Sequence, residues 1–408
     1  MKILIAHCVP RARTNGMSRM MGFLHDEIAD QGHQVDYFCS EDASILKGFY
    51  SGLYRFLFPW AVVKHVSAEA ARGVPYDIIN VHEPSGSAAI IFRRLLRGAK
   101  IVVTSHGLER RNWEMRMAAG AEPADRPSLK TRVIYPATLL WQADLAVRHA
   151  DHIFCLNSED KAYLLDRYGR KPEDITRIFP AADPVFGRNI NRRNFEKKRT
   201  LLFAGSWLVR KGTQDVIAAF SELVRRGHDV VLSILNPGAP TETVAGQFPE
   251  DVRSRVECRR TKSEIETAQA FEEADIFLLP SLFEGTPLTL IESMWSGLPI
   301  VSTEICGMRD VLQDGRNGLL VKPRDASALA GSIEYLLSDS GLRKRLGLQA
   351  HSDARKKFQW RSTAEPVLES YRRVLGLNKG LPETMATISH ASALAIGEEE
   401  RRPASEHK

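Results

Sequence analysis

Two glutamates and a turn between them carry the densest chemical signal in the chain. In the run SLFEGTPLTLIESMWSGLPIVST, residues 281–303, Glu284 and Glu292 stand eight positions apart, and Gly285, Thr286 and Pro287 follow the first acid. A threonine placed to cap a helix and a proline suited to its first turn predict that the helix opens here, with Thr286 as N-cap and Pro287 as first helical residue. The free N–H groups of such a turn, together with the helix dipole, make an anion site. Glu284 would then sit at the loop tip beside a bound phosphate. Glu292, a turn and a half into the helix, is placed to accept hydrogen bonds from the hydroxyls of a ribose. Two surface acids on an ordinary helix would show the same spacing, but not the Gly-Thr-Pro turn directly after a buried-strand run.

A second loop, GSWLVRKG at residues 205–212, follows the apolar run TLLFA and leads into an amphipathic segment. Lys211, with Arg210 beside it, can set positive charge against a diphosphate, and the glycines at its ends, Gly205 and Gly212, permit close backbone approach. Its spacing is not that of a Walker A loop, and by itself a loop Arg-Lys pair is more often simply solvated. His106 in TSHGLE, His82-Glu83 after DIINV, and Asn157-Ser158 after HIFCL also stand just beyond apolar runs. The last pair reads as a helix cap.

The elements that must position these residues follow from the alternation of short apolar runs with amphipathic stretches, the pattern of parallel sheets built from βαβ units. KILIAH, QVDYF, DIINVH, KIVVTSH, HIFCL and TRIF supply a first set of strands; TLLFAG, DVVLSIL, RVEC, DIFLLPS, LPIVST and NGLLV supply a second. Helices are expected over 17–30, 87–97, 128–149 and 158–168. The polar run ADPVFGRNINRRNFEKK reads as a linker. The expected division is a first domain over 1–181, a linker over 182–198, a second domain over 199–376 whose last helix can return to the first, and a tail over 377–408 of disordered composition. Two doubly wound domains face each other across a cleft, and ligands bind where loops leave the carboxyl edges of the strands.

Composition bounds the partners. The 408 residues are 43% hydrophobic and 26% charged, ordinary for a folded globular chain of two domains. A net charge of +6 without zinc-finger spacing or arginine-aromatic repeats gives no reason to expect nucleic acid. Five scattered cysteines with no CxxC pair suit a reducing compartment. The opening MKILIAHCVP reads as a strand rather than a leader. The most lipid-like stretch, 49–66, is broken by Arg55, Pro59 and Lys64 and is too short to span a bilayer.

Taken together, the E-x7-E pair in EGTPLTLIE, the SMWSGLPIV that follows, the ADIFLLPS before it and the loop ending in Lys211-Gly212 resemble the retaining, nucleotide-sugar-dependent glycosyltransferases of family 4, the group 1 enzymes with the GT-B fold. The specific motifs cover about a hundred residues, and the order of elements covers nearly all of the chain. The resemblance implies an α/β GT-B architecture of two Rossmann-like domains around a central cleft. It implies that Glu284 contacts the donor sugar and Glu292 the ribose, and that Gly285, Thr286, Pro287 and Leu288 form the phosphate turn. Lys211 and Arg210 neutralise the diphosphate, with Gly205 in the same loop. Gly16, in Asn15-Gly16-Met17, opens the helix facing donor and acceptor. His106 matches the first-domain histidine at the sugar end of the cleft. Catalytic duty thus falls to Glu284, His106 and Lys211. Family members often carry Arg directly after the first glycine of the 205–212 loop, where this chain has Ser206.

The implied reaction moves a hexose-type sugar from a UDP- or GDP-sugar to a glycan or lipid-linked acceptor, as in bacterial polysaccharide or envelope assembly, in the cytoplasm or on the inner face of the membrane. Neither cofactor nor essential metal is expected, there being no D-x-D and no clustered ligand spacing. Aromatic residues over 50–60 with Arg55 and Lys64, and Arg110, Arg111, Asn112, Trp113 and Arg116, are candidates for a membrane-facing edge. They suit equally a helix packed on the core beside a solvated basic face. An inactive sugar-nucleotide-binding homologue or partner subunit is the alternative in the same fold. A dinucleotide oxidoreductase is disfavoured because no strand leads into G-x-G-x-x-G.

Overall fold

The computed structural model describes residues 1–12, 16–43, 51–118 and 126–377. Asn15, Tyr50 and the segment from 378 to the end lie outside them. The short apolar runs become two six-stranded parallel sheets. The first contains β1 (Lys2–Ala6), β2 (Gln34–Phe38), β3 (Ile78–His82), β4 (Lys100–Thr104), β5 (His152–Cys155) and β6 (Ile175–Arg177), in the order β2-β1-β3-β4-β5-β6. The second contains β7 (Thr200–Ala204), β8 (Val231–Leu235), β9 (Val256–Arg259), β10 (Ile276–Leu279), β11 (Ile300–Thr303) and β12 (Leu319–Val321), in the order β12-β11-β10-β7-β8-β9. Central strands such as β1, β3 and β10 are buried at every position, which is why they read as continuous apolar runs rather than as alternating ones.

Each sheet changes direction of winding at one point, between β1 and β3 in the first and between β7 and β10 in the second. Loops leaving those neighbouring strands splay apart and open a crevice at the carboxyl edge. The loops after β1 and β3 hold Gly16 and His82-Glu83; those after β7 and β10 hold the 205–212 segment and the Glu284 turn. Topology alone therefore brings the candidate residues to two facing edges.

Helices cover both faces of each sheet. Helix Gly16–Asp30 buries Met20, Met21, Leu24 and Ile28, the helical spacing of one apolar face. Helix Ser51–Ala71 agrees with the reading of the aromatic stretch as a helix packed on the core, but its extent had no periodic signal, because Pro59 lies inside it and apolar residues occur all round it. The helix expected over 128–149 forms as Leu129–Tyr135 and Trp141–His149 joined by a π-helical turn at Pro136–Leu140. The polar run after residue 181 is ordered against the second sheet: Phe186 is buried among Phe271, Met294 and Trp295, and Arg193 donates to the carbonyls of Phe271, Ala274 and Ser296.

The last described helix, Trp360–Val374, crosses back to the first domain. It packs on helix Gly16–Asp30, β5 and β6, placing Ala364, Val367, Leu368 and Tyr371 in one cluster with Ile3, Ile5, Met20 and Phe154. Burying a residue such as Val367 or Leu368 contributes about 1.5–3 kcal/mol. The Tyr371 hydroxyl, itself buried, accepts from Asn80 Nδ2 at 2.7 Å. No described helix is long and apolar enough to cross a membrane.

Candidate active site

A cleft of about 1440 Å³ lies between the sheet edges, lined from one side by Gly16, Arg19, His82, Glu83 and His106 and from the other by Gly205, Arg210, Lys211, Glu284 and Glu292, among others. The 205–212 loop ends in a short 3-10 turn, Val209–Lys211, and Gly212 takes φ +73°. A Cβ there would lie 1.8 Å from the carbonyl oxygen of Pro280, so glycine alone lets this loop rest against the end of β10. The amide of Leu282 donates to the carbonyl of Arg210 at 2.7 Å and fixes the two loops to each other.

That contact brings Lys211 and Glu284 together. The Lys211 ammonium pairs directly with Glu284 Oε1, and Arg210 Nη1 lies 3.6 Å from the same oxygen. Glu284 is buried, not an exposed loop-tip acid. Burial pushes its carboxyl up, but Lys211 and Arg210 outweigh that and hold it below the usual range.

The turn after Glu284 departs from the expected cap. Helix Leu288–Trp295 has Pro287 as its N-cap residue and no side-chain cap. The Thr286 hydroxyl instead donates to the carbonyl of Leu156, across the cleft, at 2.5 Å. Inter-domain packing thus takes the hydroxyl that residue type alone assigned to the helix end, and leaves the first amides of the helix open toward the cleft. Gly285 is the point of closest approach: a Cβ there would come 2.6 Å from the His106 carbonyl oxygen. Leu288 packs beside Gly16, which opens its helix as expected.

Glu292 is fully buried and faces Arg19 from the first domain, Nη2 to Oε1 at 2.6 Å. The approach is out of line for a hydrogen bond, so both Glu292 oxygens retain unused acceptor capacity. Burial raises this carboxyl above its ordinary value, against the pull of Arg19. Arg19 also binds Glu264 Oε1 through Nε and Nη2 at 3.1 and 3.0 Å. Sequence reasoning missed Arg19: a single arginine on an amphipathic helix has no spacing that points to an acid 273 positions away.

On the facing wall, the His106 ring stacks on His82, centroids 4.4 Å apart, and Nε2 of each ring is buried without a partner. Burial lowers His106 to about 3 and His82 well below its ordinary value, so both rings are neutral at pH 7. Burial pushes Glu83 the other way, to about 8; its Oε2 accepts from the Glu109 amide at 3.2 Å and its Oε1 has no partner. Asn157 caps helix Ser158–Tyr168, accepting from the Asp160 amide at 2.7 Å, and its amide group also reaches the carbonyls of Glu284 and Gly285 at 3.4 Å.

Three of the residues offered either for a membrane-facing edge or for a packed helix beside a solvated basic face are engaged within the domain. Arg110 pairs with Asp144, Arg111 with Glu159 and Asp160, and Trp113 is buried in a stack on Tyr135. Their acids stand 34 to 49 positions along the chain, so the basic run looked solvated in sequence. Asn236 and Thr261 also line the cleft, and Asn236 Oδ1 accepts from the Thr261 amide at 2.9 Å, which joins the loops after β8 and β9. Among the described residues no group of three or more His, Cys, Asp or Glu side chains is set to hold a metal ion.

Two doubly wound sheets, an open helix end between a paired lysine and a buried glutamate, and a first domain facing them across the cleft fit a sugar-nucleotide-dependent transferase of GT-B architecture. The family described as Glycosyltransferase Family 4 matches residues 14–186, and that described as Glycosyl transferases group 1 matches residues 198–339. The chain belongs to this family and is a retaining, nucleotide-sugar-dependent glycosyltransferase. It is 26% identical over 412 aligned residues to D-inositol 3-phosphate glycosyltransferase of Nocardia farcinica, covering 91% of this chain and 88% of that one. Its fold is similar to sucrose-phosphate synthase from Thermosynechococcus elongatus, with TM-score 0.74 at 19% identity over 93% of this chain and all of the other. Anabaena Alr3699/HepE, solved in complex with UDP-glucose, superposes with TM-score 0.64 at 15% identity over 91% of this chain and all of the other.

Proposed function

We propose that the enzyme transfers a hexose-type sugar from a UDP- or GDP-sugar to a hydroxyl of a glycan or lipid-linked glycan, in bacterial polysaccharide or envelope assembly. The observation that carries this reading is the Lys211–Glu284 pair at the open end of helix Leu288–Trp295, facing His106 across the cleft. The diphosphate lies over the helix end, where the free amides, Lys211 and Arg210 meet the charge that builds on the leaving group. Glu284, kept ionised by those cations, orients the sugar hydroxyls rather than attacking the anomeric carbon. Glu292 takes the ribose hydroxyls on its unused oxygens, with Arg19 shared between it and Glu264. Transfer occurs on one face of the sugar, consistent with retention.

The acceptor wall supports a hydroxyl-rich acceptor. Among the described residues it presents two neutral imidazoles and the carboxyl groups of Glu83 and Glu109, and its one cation, Arg19, is already paired. The relative at 26% identity is named for D-inositol 3-phosphate; among the described residues this wall offers such an anion no unpaired cation. A transfer assay with radiolabelled UDP- and GDP-hexoses, offered inositol 3-phosphate and neutral oligosaccharides side by side, tests the reading. Transfer to a neutral hydroxyl, lost in Lys211→Ala, is expected; turnover with inositol 3-phosphate alone would overturn the acceptor assignment.

A further inference from the structure

We infer that the outer face of the first domain, formed by helix Ser51–Ala71, the segment Ser87–Leu96 and the helical stretch from Leu129 to His149, is a docking surface for an anionic lipid bilayer. Leu129 and Val133 are 78% and 72% exposed, the most exposed large hydrophobic side chains of the described residues. Leu129, Val133, Ala137 and Trp141 follow at four-residue steps and all are exposed, an apolar stripe along this helical stretch. A second group stands on the adjoining helices: Trp60, Ile91 and Leu95 are exposed, with Trp60 against the Phe92 ring at 5.3 Å. Helix Ser51–Ala71 packs on both the 87–96 segment and the π-helical turn, and helix Ser87–Ile91 packs on Trp141–His149, so these groups belong to one layer of the domain.

Charge selects the occupant. Lys64, Arg94, Arg97 and Lys130 are exposed and pair with no acid among the described residues. Residues 85–100 contain no Asp or Glu, and neither do residues 126–143. Apolar side chains that enter the headgroup boundary, ringed by cations that meet anionic headgroups, are the two components of interfacial binding. A second copy of this chain would bring the same cations face to face across a two-fold axis, which charge opposes. The corrected surface differs from the one the sequence pointed to, because Arg110, Arg111 and Trp113 turn inward while Leu129 and Val133 turn out.

The same helix connects this face to the cleft. Tyr135 donates its hydroxyl to Glu109 Oε2 at 2.5 Å, and Glu109 lines the acceptor wall. An acceptor held in the bilayer would thus meet the enzyme on the acceptor side, a corollary that rests on the proposed function, whereas lipid binding itself does not.

The test is flotation of the full chain with phosphatidylcholine vesicles, with and without phosphatidylglycerol, at low and high salt. The wild type is expected to float with the anionic vesicles and to be released by salt. Leu129→Glu/Val133→Glu and Arg94→Glu/Arg97→Glu should each lower the bound fraction about tenfold. These positions are exposed, and an unchanged thermal shift with the nucleotide donor shows that each variant is folded with an intact donor site. The inference is overturned if the wild type does not float, if either variant floats equally well, or if light scattering shows a dimer that Leu129→Glu/Val133→Glu dissolves. A donor shift without flotation would sink the lipid surface alone; flotation without any donor shift would sink the proposed reaction alone.

Discussion

At the scale of single residues, two kinds of carboxyl do different work. Glu284 is held ionised by Lys211 and Arg210, and removing Lys211 would leave a buried charge half-compensated and weaken the proposed diphosphate site. Lys211→Ala is expected to lower kcat by on the order of 10²–10³-fold, the usual effect of losing one preorganised electrostatic group, measured by steady-state transfer. Glu83, raised to about 8 by burial, holds a proton in the native state that the unfolded chain has released above about 4.5. The stability it contributes is complete below the unfolded value and is lost as pH rises toward 8. Denaturation midpoints at pH 5 and pH 8 should therefore fall more in the wild type than in Glu83→Gln; equal falls would contradict the assignment. Sequence placed Glu284 and Lys211 at one cleft because each lies in a loop leaving a strand at a sheet's carboxyl edge, Glu292 because it stands a turn and a half into the helix that follows, and His106 through the family resemblance. It could not supply Arg19, nor the Leu156 carbonyl that draws Thr286 away from the helix end, because both lie across a gap that only folding closes.

At the scale of elements, the central strands were legible because parallel strands buried on both faces leave short, unbroken apolar runs, and the half-exposed edge strands β2, β6 and β9 followed from their place in the alternation with amphipathic stretches. The extent of helix Ser51–Ala71 was not, since a helix apolar all round with an internal proline has no period to detect. The site depends most on how the loops after β7 and β10 rest against each other. Gly212→Ala would drive a methyl group into the Pro280 carbonyl from a left-handed backbone. It should cost more than about 1 kcal/mol and lower the melting temperature by several degrees. It should also weaken donor binding, because Lys211 would be displaced with it. A Gly212→Ala protein with wild-type melting temperature and donor affinity would show that the loop has room to move.

At the scale of the whole molecule, the two sheets are joined on both sides of the cleft. Thr286 and Asn157 clamp the turn after Glu284 to the first domain, Ser158 donates to Asp310 through its amide and hydroxyl at 2.5 Å, and helix Trp360–Val374 straps the opposite side. Ending the chain before Trp360 would uncover Ile3, Ile5, Met20 and Phe154 and is expected to abolish the cooperative melt seen by circular dichroism. An unchanged melt would show that the strap is dispensable. The proposed position of the donor is between the loops after β7 and β10. Its most direct measurement is thermal shift with UDP, GDP, ADP and their sugar conjugates on wild type, Lys211→Ala and Glu292→Ala. A ligand at a hundred times its Kd stabilises the native state by about 2.7 kcal/mol, a readily resolved shift. Stabilisation by one nucleotide series in the wild type and its loss in both variants are expected; a shift that persists undiminished in both would place the donor somewhere else.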